Sequence, residues 1–291
     1  MKRIKLGVRS ILTFVIFSTA ALVISCSEDS EITFTQKTNV NSEAALDSYF
    51  EDAEDLVSTV AITDESQLSG RTSGIGDDRF CGNAKILVLK SNPDNPDTVK
   101  IDFQGDGCSF NSVTRKGTIT IIYTPGKWRF LNGSYTVIID MYINGVHIEG
   151  TRTVLMKTLD LNSEPKVIEY DITLSGGKIT WPDETFATRD AHHVRRHSVY
   201  STPVNNEIRI LDGGTANGVN RNGKEYSMEI TQDILFKASC RVIKIFMPVA
   251  GEKVLAIDGK TITVNYGDGE CDRTATITIN GESRSVTLER D

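Results

Sequence analysis

Three of the four histidines fall within nine residues, Arg189-Asp190-Ala191-His192-His193-Val194-Arg195-Arg196-His197. On a helix, His193 and His197 would share a face at i, i+4 and, with Asp190, could ligate a transition metal. On a strand, which the flanking sequence favours, His193, Arg195 and His197 point one way and His192, Val194 and Arg196 the other. Three arginines in the same stretch oppose a bound cation. The expectation is therefore a charged, exposed strand or loop, with His193, His197 and Asp190 as weak metal candidates, and no cofactor is implied.

Carboxylates offer a second chemistry, because a glycosidase needs two acids roughly 5–9.5 Å apart across a sugar cleft. Asp102, Asp106, Asp140, Asp171, Asp183 and Glu184 are all available, and nothing in one sequence selects two of them. Asp106 and Asp268 sit in Gly-Asp-Gly turns, where a short acidic side chain commonly bonds its own backbone. Neither turn has the alternating acids of a calcium loop. Trp128 and Trp181 could stack on sugar rings, although burial in a core suits them better. Gly-x-Ser-x-Gly, His-Glu-x-x-His, phosphate-loop and dinucleotide fingerprints are absent, so no catalytic residue is assigned.

Five cysteines is an odd number, and the first occupies a distinctive place. Lys2, Arg3, Lys5 and Arg9 precede an apolar run from Ile11 to Ile24, broken only by Thr13, Ser18 and Thr19. This is the layout of a secretory signal. It ends in Leu22-Val23-Ile24-Ser25-Cys26, which looks like the lipobox of a bacterial lipoprotein. That resemblance implies cleavage before Cys26 and a lipid on its thiol. At roughly 0.8 kcal/mol per buried methylene, two or three acyl chains hold a protein stably on a bilayer. The following Ser27-Glu28-Asp29-Ser30-Glu31 resembles the acidic export tag of surface-exposed Bacteroidota lipoproteins. The expected location is the outer membrane, facing outward, with a periplasm-facing orientation as the alternative.

Removing residues 1–25 takes away four positive charges and changes the formal net charge from −7 to −11. An acidic body without a basic stripe is a poor partner for nucleic acid. With Cys26 lipidated, Cys81, Cys108, Cys240 and Cys271 remain, and four cysteines allow three pairings. An internal echo chooses between them. Ile101-Asp102-Phe103-Gln104-Gly105-Asp106-Gly107-Cys108 is similar to Val264-Asn265-Tyr266-Gly267-Asp268-Gly269-Glu270-Cys271, and each is followed by Thr-Ile-Thr-Ile, at 118–121 and 276–279. Two equivalent units, bridged Cys81–Cys108 and Cys240–Cys271, fit this pattern. The long spacings lack the short knuckle of a zinc site.

These residues must be positioned by a β-rich body. Residues 26–40 read as a polar tether. Over 41–63, Ala45, Tyr49, Ala53, Leu56 and Val60 recur at helical spacing, with Asn41 or Ser42 as N-cap, while Asp47, Glu51, Asp52, Glu54 and Asp55 face away from the apolar side. Residues 64–80 form a Gly/Ser/Asp-rich hinge. Beyond it the period is two, as in Thr118–Tyr123, Tyr226–Thr231 and Thr261–Tyr266, which predicts half-buried strands. Asn132-Gly133, Asn144-Gly145, Asn217-Gly218, Asn222-Gly223, Asp258-Gly259 and Asn280-Gly281 supply hairpin-turn chemistry. The expected fold is an all-β antiparallel meander over 81–291, a sandwich or open half-barrel with one N-terminal amphipathic helix. Two related halves, 81–175 and 176–291, are a further expectation.

From Cys81 to Asp291 the chain resembles an uncharacterised family of Bacteroidota lipoproteins, through Gly105-Asp106-Gly107-Cys108, Arg115-Lys116-Gly117, Glu149-Gly150-Thr151-Arg152-Thr153, Asn220-Arg221-Asn222-Gly223-Lys224 and Tyr266-Gly267-Asp268-Gly269-Glu270-Cys271. The resemblance implies no activity. The expected function is a non-catalytic, lipid-anchored envelope module whose partners are the membrane and a glycan, a peptide or another envelope protein. A carboxylate-based glycoside hydrolase and an acyl-chain or lipoprotein carrier are the alternatives.

Overall fold

The computed structural model describes residues 34–62, 79–81, 84–92, 95–110, 112–124, 132–243, 245 and 247–288, all within one compact unit, Ile32–Asp291. The signal segment, Cys26, the tether up to residue 33, most of the hinge and Trp128 lie outside the described residues. A helix, α1 (Phe34–Ile62), is followed by fourteen strands among the described residues: β1 (Ala84–Asn92), β2 (Asn95–Phe110), β3 (Val113–Tyr123), β4 (Ser134–Ile143), β5 (Val146–Asp160), β6 (Lys166–Thr180), β7 (Phe186–Val199), β8 (Glu207–Ile210), β9 (Thr215–Val219), β10 (Glu225–Lys237), β11 (Ala250–Ile257), β12 (Lys260–Asp268), β13 (Thr274–Ile279) and β14 (Glu282–Thr287). A one-turn helix, α2 (Ala238–Val242), sits between β10 and β11.

Every strand pairing is antiparallel, and strands pair in chain order from β1 to β14 except at one place. There β8 and β9 lie end to end in a single slot between β7 and β10, β8 against Arg195–Ser198 and β9 against Asp190–His192. The expected antiparallel meander with one N-terminal helix is thus the observed fold. Residues 175–205, where two halves would meet, fall in the middle of the sheet, with β6 and β7 paired along most of their length.

Alternation in sequence becomes alternation in burial. In β4, Val137, Ile139, Met141 and Ile143 are buried, whereas Ile138, Asp140 and Tyr142 are exposed. Three of the turn pairs close two-residue hairpins. Asn144 and Gly145 (φ 50° and 85°), Asp258 and Gly259 (53° and 71°) and Asn280 and Gly281 (53° and 84°) all have the positive φ that a type I′ turn requires. Asn217-Gly218 behaves differently and lies inside β9. A Cβ on Gly218 would stand 2.0 Å from the Thr188 carbonyl oxygen, so glycine serves there for close strand approach.

The helix departs most from expectation. It begins at Phe34, so Asn41 and Ser42 lie within it; no proline or glycine between Phe34 and Asn41 stops it from propagating. No residue from 40 to 60 is exposed. The apolar side of α1, with Leu46, Tyr49, Phe50, Ala53, Leu56 and Val57, belongs to the same core as the inward residues of β1 to β13. The sheet curves around α1, and the helix fills the concave side. Gly177 leaves room for it: a Cβ there would meet the Phe50 ring at 3.0 Å and the Arg189 carbonyl oxygen at 2.6 Å.

Two bridges pin the sheet, Cys81–Cys108 and Cys240–Cys271. The first ties the segment before β1 to β2; the second ties α2 to the segment after β12.

Candidate functional site

The inner face of the sheet is mostly apolar but carries a set of cations, and each of these cations meets an acid of α1. From β3, Arg115 donates from Nε and Nη2 to the two carboxylate oxygens of Asp52 at 2.8 and 2.7 Å. From β5, Arg152 Nη1 donates to Glu54 at 2.7 Å, and its guanidinium lies over the Phe50 ring. From β7, Arg189 Nη1 donates to Glu43 (2.9 Å) and Asp47 (2.7 Å), and Arg195 Nη1 to Glu51 (2.5 Å). From β11, Lys253 Nζ donates to Asp47 at 2.6 Å and lies over the Tyr266 ring. At the C-terminal end of α1, Arg241 of α2 and Arg79 both pair with Asp55.

The pairs made from the strands are more enclosed than those of Asp55, where the Arg241 and Arg79 side chains are 26 % and 19 % exposed. Arg195 is fully buried, and Arg152 and Glu54 side chains are 3 % and 2 % exposed. Taking such charges out of water is expensive, and mutual pairing with good geometry is what permits it. The electrostatics follow. Burial works to raise the Asp47 carboxyl, but Lys253 and Arg189 outweigh it and hold it below the ordinary carboxylate range. Against their own desolvation, Glu43 and Asp47 push the Arg189 guanidinium up, and Asp47 does the same for the Lys253 ammonium.

Of the acids expected to face away from the apolar side, Glu51, Asp52 and Glu54 are therefore buried and Asp47 and Asp55 half-buried. Seen alone, α1 looks amphipathic, yet its polar side is matched by cations from five strand positions. The histidine stretch also needs correcting. It is strand β7, as its surroundings suggested, but His193, Arg195 and His197 point into the interior instead of standing exposed. Burial, then Arg152, Arg195 and Arg189, push the His193 imidazole well below its usual value; burial, then Arg195 and Arg241, do the same for His197. His197 Nε2 accepts from Arg195 Nε at 3.0 Å, which requires a neutral ring protonated on Nδ1.

Asp190 points to the opposite face, where its carboxylate accepts from the Gly176 N–H at 2.7 Å, so the three metal candidates do not converge. Among the described residues no cluster of three His, Cys, Asp or Glu has metal-binding geometry. The carboxylate candidates are dispersed on the outer face and in turns. Asp140 pairs with His147 (2.8 Å), Asp171 with His192 (2.9 Å) and Asp183 with Arg221 (2.8 Å), while Asp106 is exposed and Glu184 occupies a positive-φ turn position. Trp181 is buried beneath Arg221, whose guanidinium sits 4.4 Å from the ring centre.

Beside Arg152, Arg189 and His193 a cavity of about 30 Å³ remains between α1 and β10, room for about one water molecule. His193 Nε2 and Arg152 Nε have no hydrogen-bond partner within the protein. A carrier needs several hundred cubic ångströms of apolar space; here α1 takes up that volume.

The interior pairing has a signal in the sequence that alternation alone overlooks. Arg115 is in phase with Ile119 and Ile121, Arg152 with Ile148 and Val154, and Lys253 with Leu255 and Ile257. A basic residue on the apolar phase of a strand demands a buried acid, and Glu43, Asp47, Glu51 and Glu54/Asp55 repeat at helical spacing. The outer face, in contrast, mixes threonines such as Thr98, Thr120, Thr136, Thr151, Thr153 and Thr173 with exposed Leu87, Leu89, Ile122, Ile138 and Leu155. Among the described residues no helix is long and apolar enough to cross a membrane. Comparison with known proteins gives no similarity to build on: no family model, curated protein or solved structure matches the chain.

Proposed function

We propose that this chain is a lipid-anchored cell-envelope protein, held at the outer membrane through Cys26 and facing outward, that acts as a binding or structural module without catalysis of its own. The observation that carries the non-catalytic part is the use of the interior charges: Glu43, Asp47, Glu51, Asp52, Glu54 and Asp55 are each paired to a cation of the surrounding structure. Acids neutralised in this way do not serve as a general acid and nucleophile pair, which needs one free proton donor and one free carboxylate facing a substrate. The surface left for a partner is the convex face, where exposed aliphatic side chains lie among threonine hydroxyls. A glycan, a peptide or another envelope component matches that mixture of apolar contact and hydroxyl hydrogen bonding.

The anchor reading rests on the lipobox-like run and on the family resemblance of residues 81–291. Metabolic labelling with a radioactive fatty acid tests it: label in the wild-type chain and none in Cys26→Ala is expected, and an unlabelled wild-type chain overturns the anchor. Protease shaving of intact cells tests orientation, with cleavage expected for outward display and protection in intact but not permeabilised cells indicating a periplasm-facing protein. Glycan and peptide arrays probed with the wild-type chain and with Ile122→Asp/Ile138→Asp test the convex face. Binding unaffected by those substitutions would move the site elsewhere.

A further inference from the structure

The slot between β7 and β10 holds two short strands with a break between them. On the β7 side, β8 pairs with Arg195–Ser198 and β9 with Asp190–His192; on the β10 side they pair with Ile234–Lys237 and Glu225–Glu229. His193 and Ile230 therefore face the break. Residues 211–214 bridge it through single backbone bonds, from the Leu211 N–H to the Val194 carbonyl and from the Gly213 N–H to the Ile230 carbonyl among them. The cavity of about 30 Å³ lies at this break, lined there by His193, Ile210, Thr215, Ile230 and Ile234 and closed by Phe50 of α1.

We infer that this cavity is a binding site for one monatomic, monovalent anion, a halide such as chloride, held between Arg152 Nε and His193 Nε2. Both residues line the space. Arg152 is 3 % exposed, Glu54 takes its Nη1, and its Nε is a buried donor with no acceptor in the protein. His193 Nε2 is likewise buried without a partner, and a neutral ring protonated on that nitrogen donates beside it. The acids that line the cavity are already engaged, Asp47 by Arg189 and Lys253 and Glu51 by Arg195. Arg152, Arg195 and Arg189 set the field at His193, with Asp47 opposing them. That field repels a metal cation and favours an anion, for which a guanidinium N–H supplies a charge-assisted bond. Size then selects the class: the volume exceeds the roughly 10–15 Å³ that one water requires but does not admit phosphate or sulfate.

Chlorine NMR of the full chain in a non-ionic detergent tests the site, with gluconate holding the ionic strength constant. The wild-type chain should broaden the chloride line in a saturable way, and bromide should displace that excess. His193→Leu removes one donor and should abolish the excess; His193→Gln, which keeps an N–H donor, should retain it. No saturable excess in the wild-type chain, or an excess that His193→Leu leaves unchanged, overturns the inference.

If His193→Leu fails to fold, crystals of the wild-type chain grown in bromide decide the question. An anomalous bromide peak within hydrogen-bond reach of Arg152 Nε and His193 Nε2 supports the site. Density there without anomalous signal is water alone and overturns it, as does an empty cavity. The inference needs neither the lipid anchor nor the convex face, so its failure leaves fatty-acid labelling and convex-face binding untouched.

Discussion

The Arg152–Glu54 pair can be dissected quantitatively. Both side chains are almost wholly buried, 3 % and 2 % exposed, and joined at 2.7 Å. Removing one partner strands a charge in a dry interior and costs about 3–5 kcal/mol, whereas an exposed pair is worth at most about 1 kcal/mol. Arg152→Met keeps most of the aliphatic stem but removes the guanidinium that lies over the Phe50 ring, so the loss is that contact together with the stranded Glu54 carboxylate; Glu54→Met leaves the guanidinium without its acceptor. Each single variant should therefore lose about 3–5 kcal/mol, or about 6–20 °C in Tm for a body of this size. The double variant, with no charge to desolvate, should return to within about 1 kcal/mol of wild type or exceed it. Guanidinium unfolding followed by circular dichroism, with equal m-values across the cycle, provides the measurement. Single variants that each lose less than about 1 kcal/mol would mean that water reaches this pair and that α1 is not enclosed as described.

Acid should loosen the same interior. His193 and His197 are held neutral in the folded protein and accept protons near pH 6.5 when unfolded, so stability is fully present above that value and falls below it. Each contributes about 1.4 kcal/mol per pH unit, which gives a loss of up to about 4 kcal/mol between pH 7.5 and 5. His193→Leu should halve the slope, and a flat profile of denaturation midpoints would refute the buried neutral state. Below about pH 4 the depressed Asp47 carboxyl adds a further loss in the same direction. Replacing Cys240 and Cys271 together by serine opens a bridge with a sequence separation of 31 and should lower stability by about 3 kcal/mol, read as a shift of the same midpoint relative to the oxidised wild type. Gly218→Ala forces a Cβ against the Thr188 carbonyl and should cost about 1–3 kcal/mol, with faster amide exchange across β9; unchanged exchange would show that the strands can part there freely.

Several parts of this architecture were legible in the residues. Alternation around Ile119, Ile121 and Tyr123 is a local property that survives folding, because one face of a strand always meets the core. Asn144-Gly145, Asp258-Gly259 and Asn280-Gly281 were legible for the same reason: their backbone requirement is set by two residues and does not depend on distant contacts. The bridges followed from an internal echo between the segments ending at Cys108 and Cys271. Glu51 and Asp52 were misjudged because a carboxylate at helical spacing looks the same whether it faces water or an arginine 144 or 63 residues away. The same holds for Arg195, whose burial depends on Glu51. Non-local pairs of charges defeat a reading that weighs each side chain by its own polarity, and only the apolar phase of Arg115, Arg152 and Lys253 hints at them.

The order in which this chain can assemble follows from where the partners of α1 sit. Neighbouring strands are mostly neighbours in sequence, so hairpins can add one after another with short loop closures and little delay. The helix is different: Asp47 must wait for Lys253, 206 residues downstream. Synthesis runs from the amino terminus, so α1 emerges first and finds its last partner only when β11 exists. Through that interval its carboxylates keep an otherwise sticky segment in solution, and the half-built sheet keeps its guanidinium groups hydrated. The charges that later become dry thus act first as the solubilising groups of two orphaned surfaces, and their mutual neutralisation marks the completion of folding.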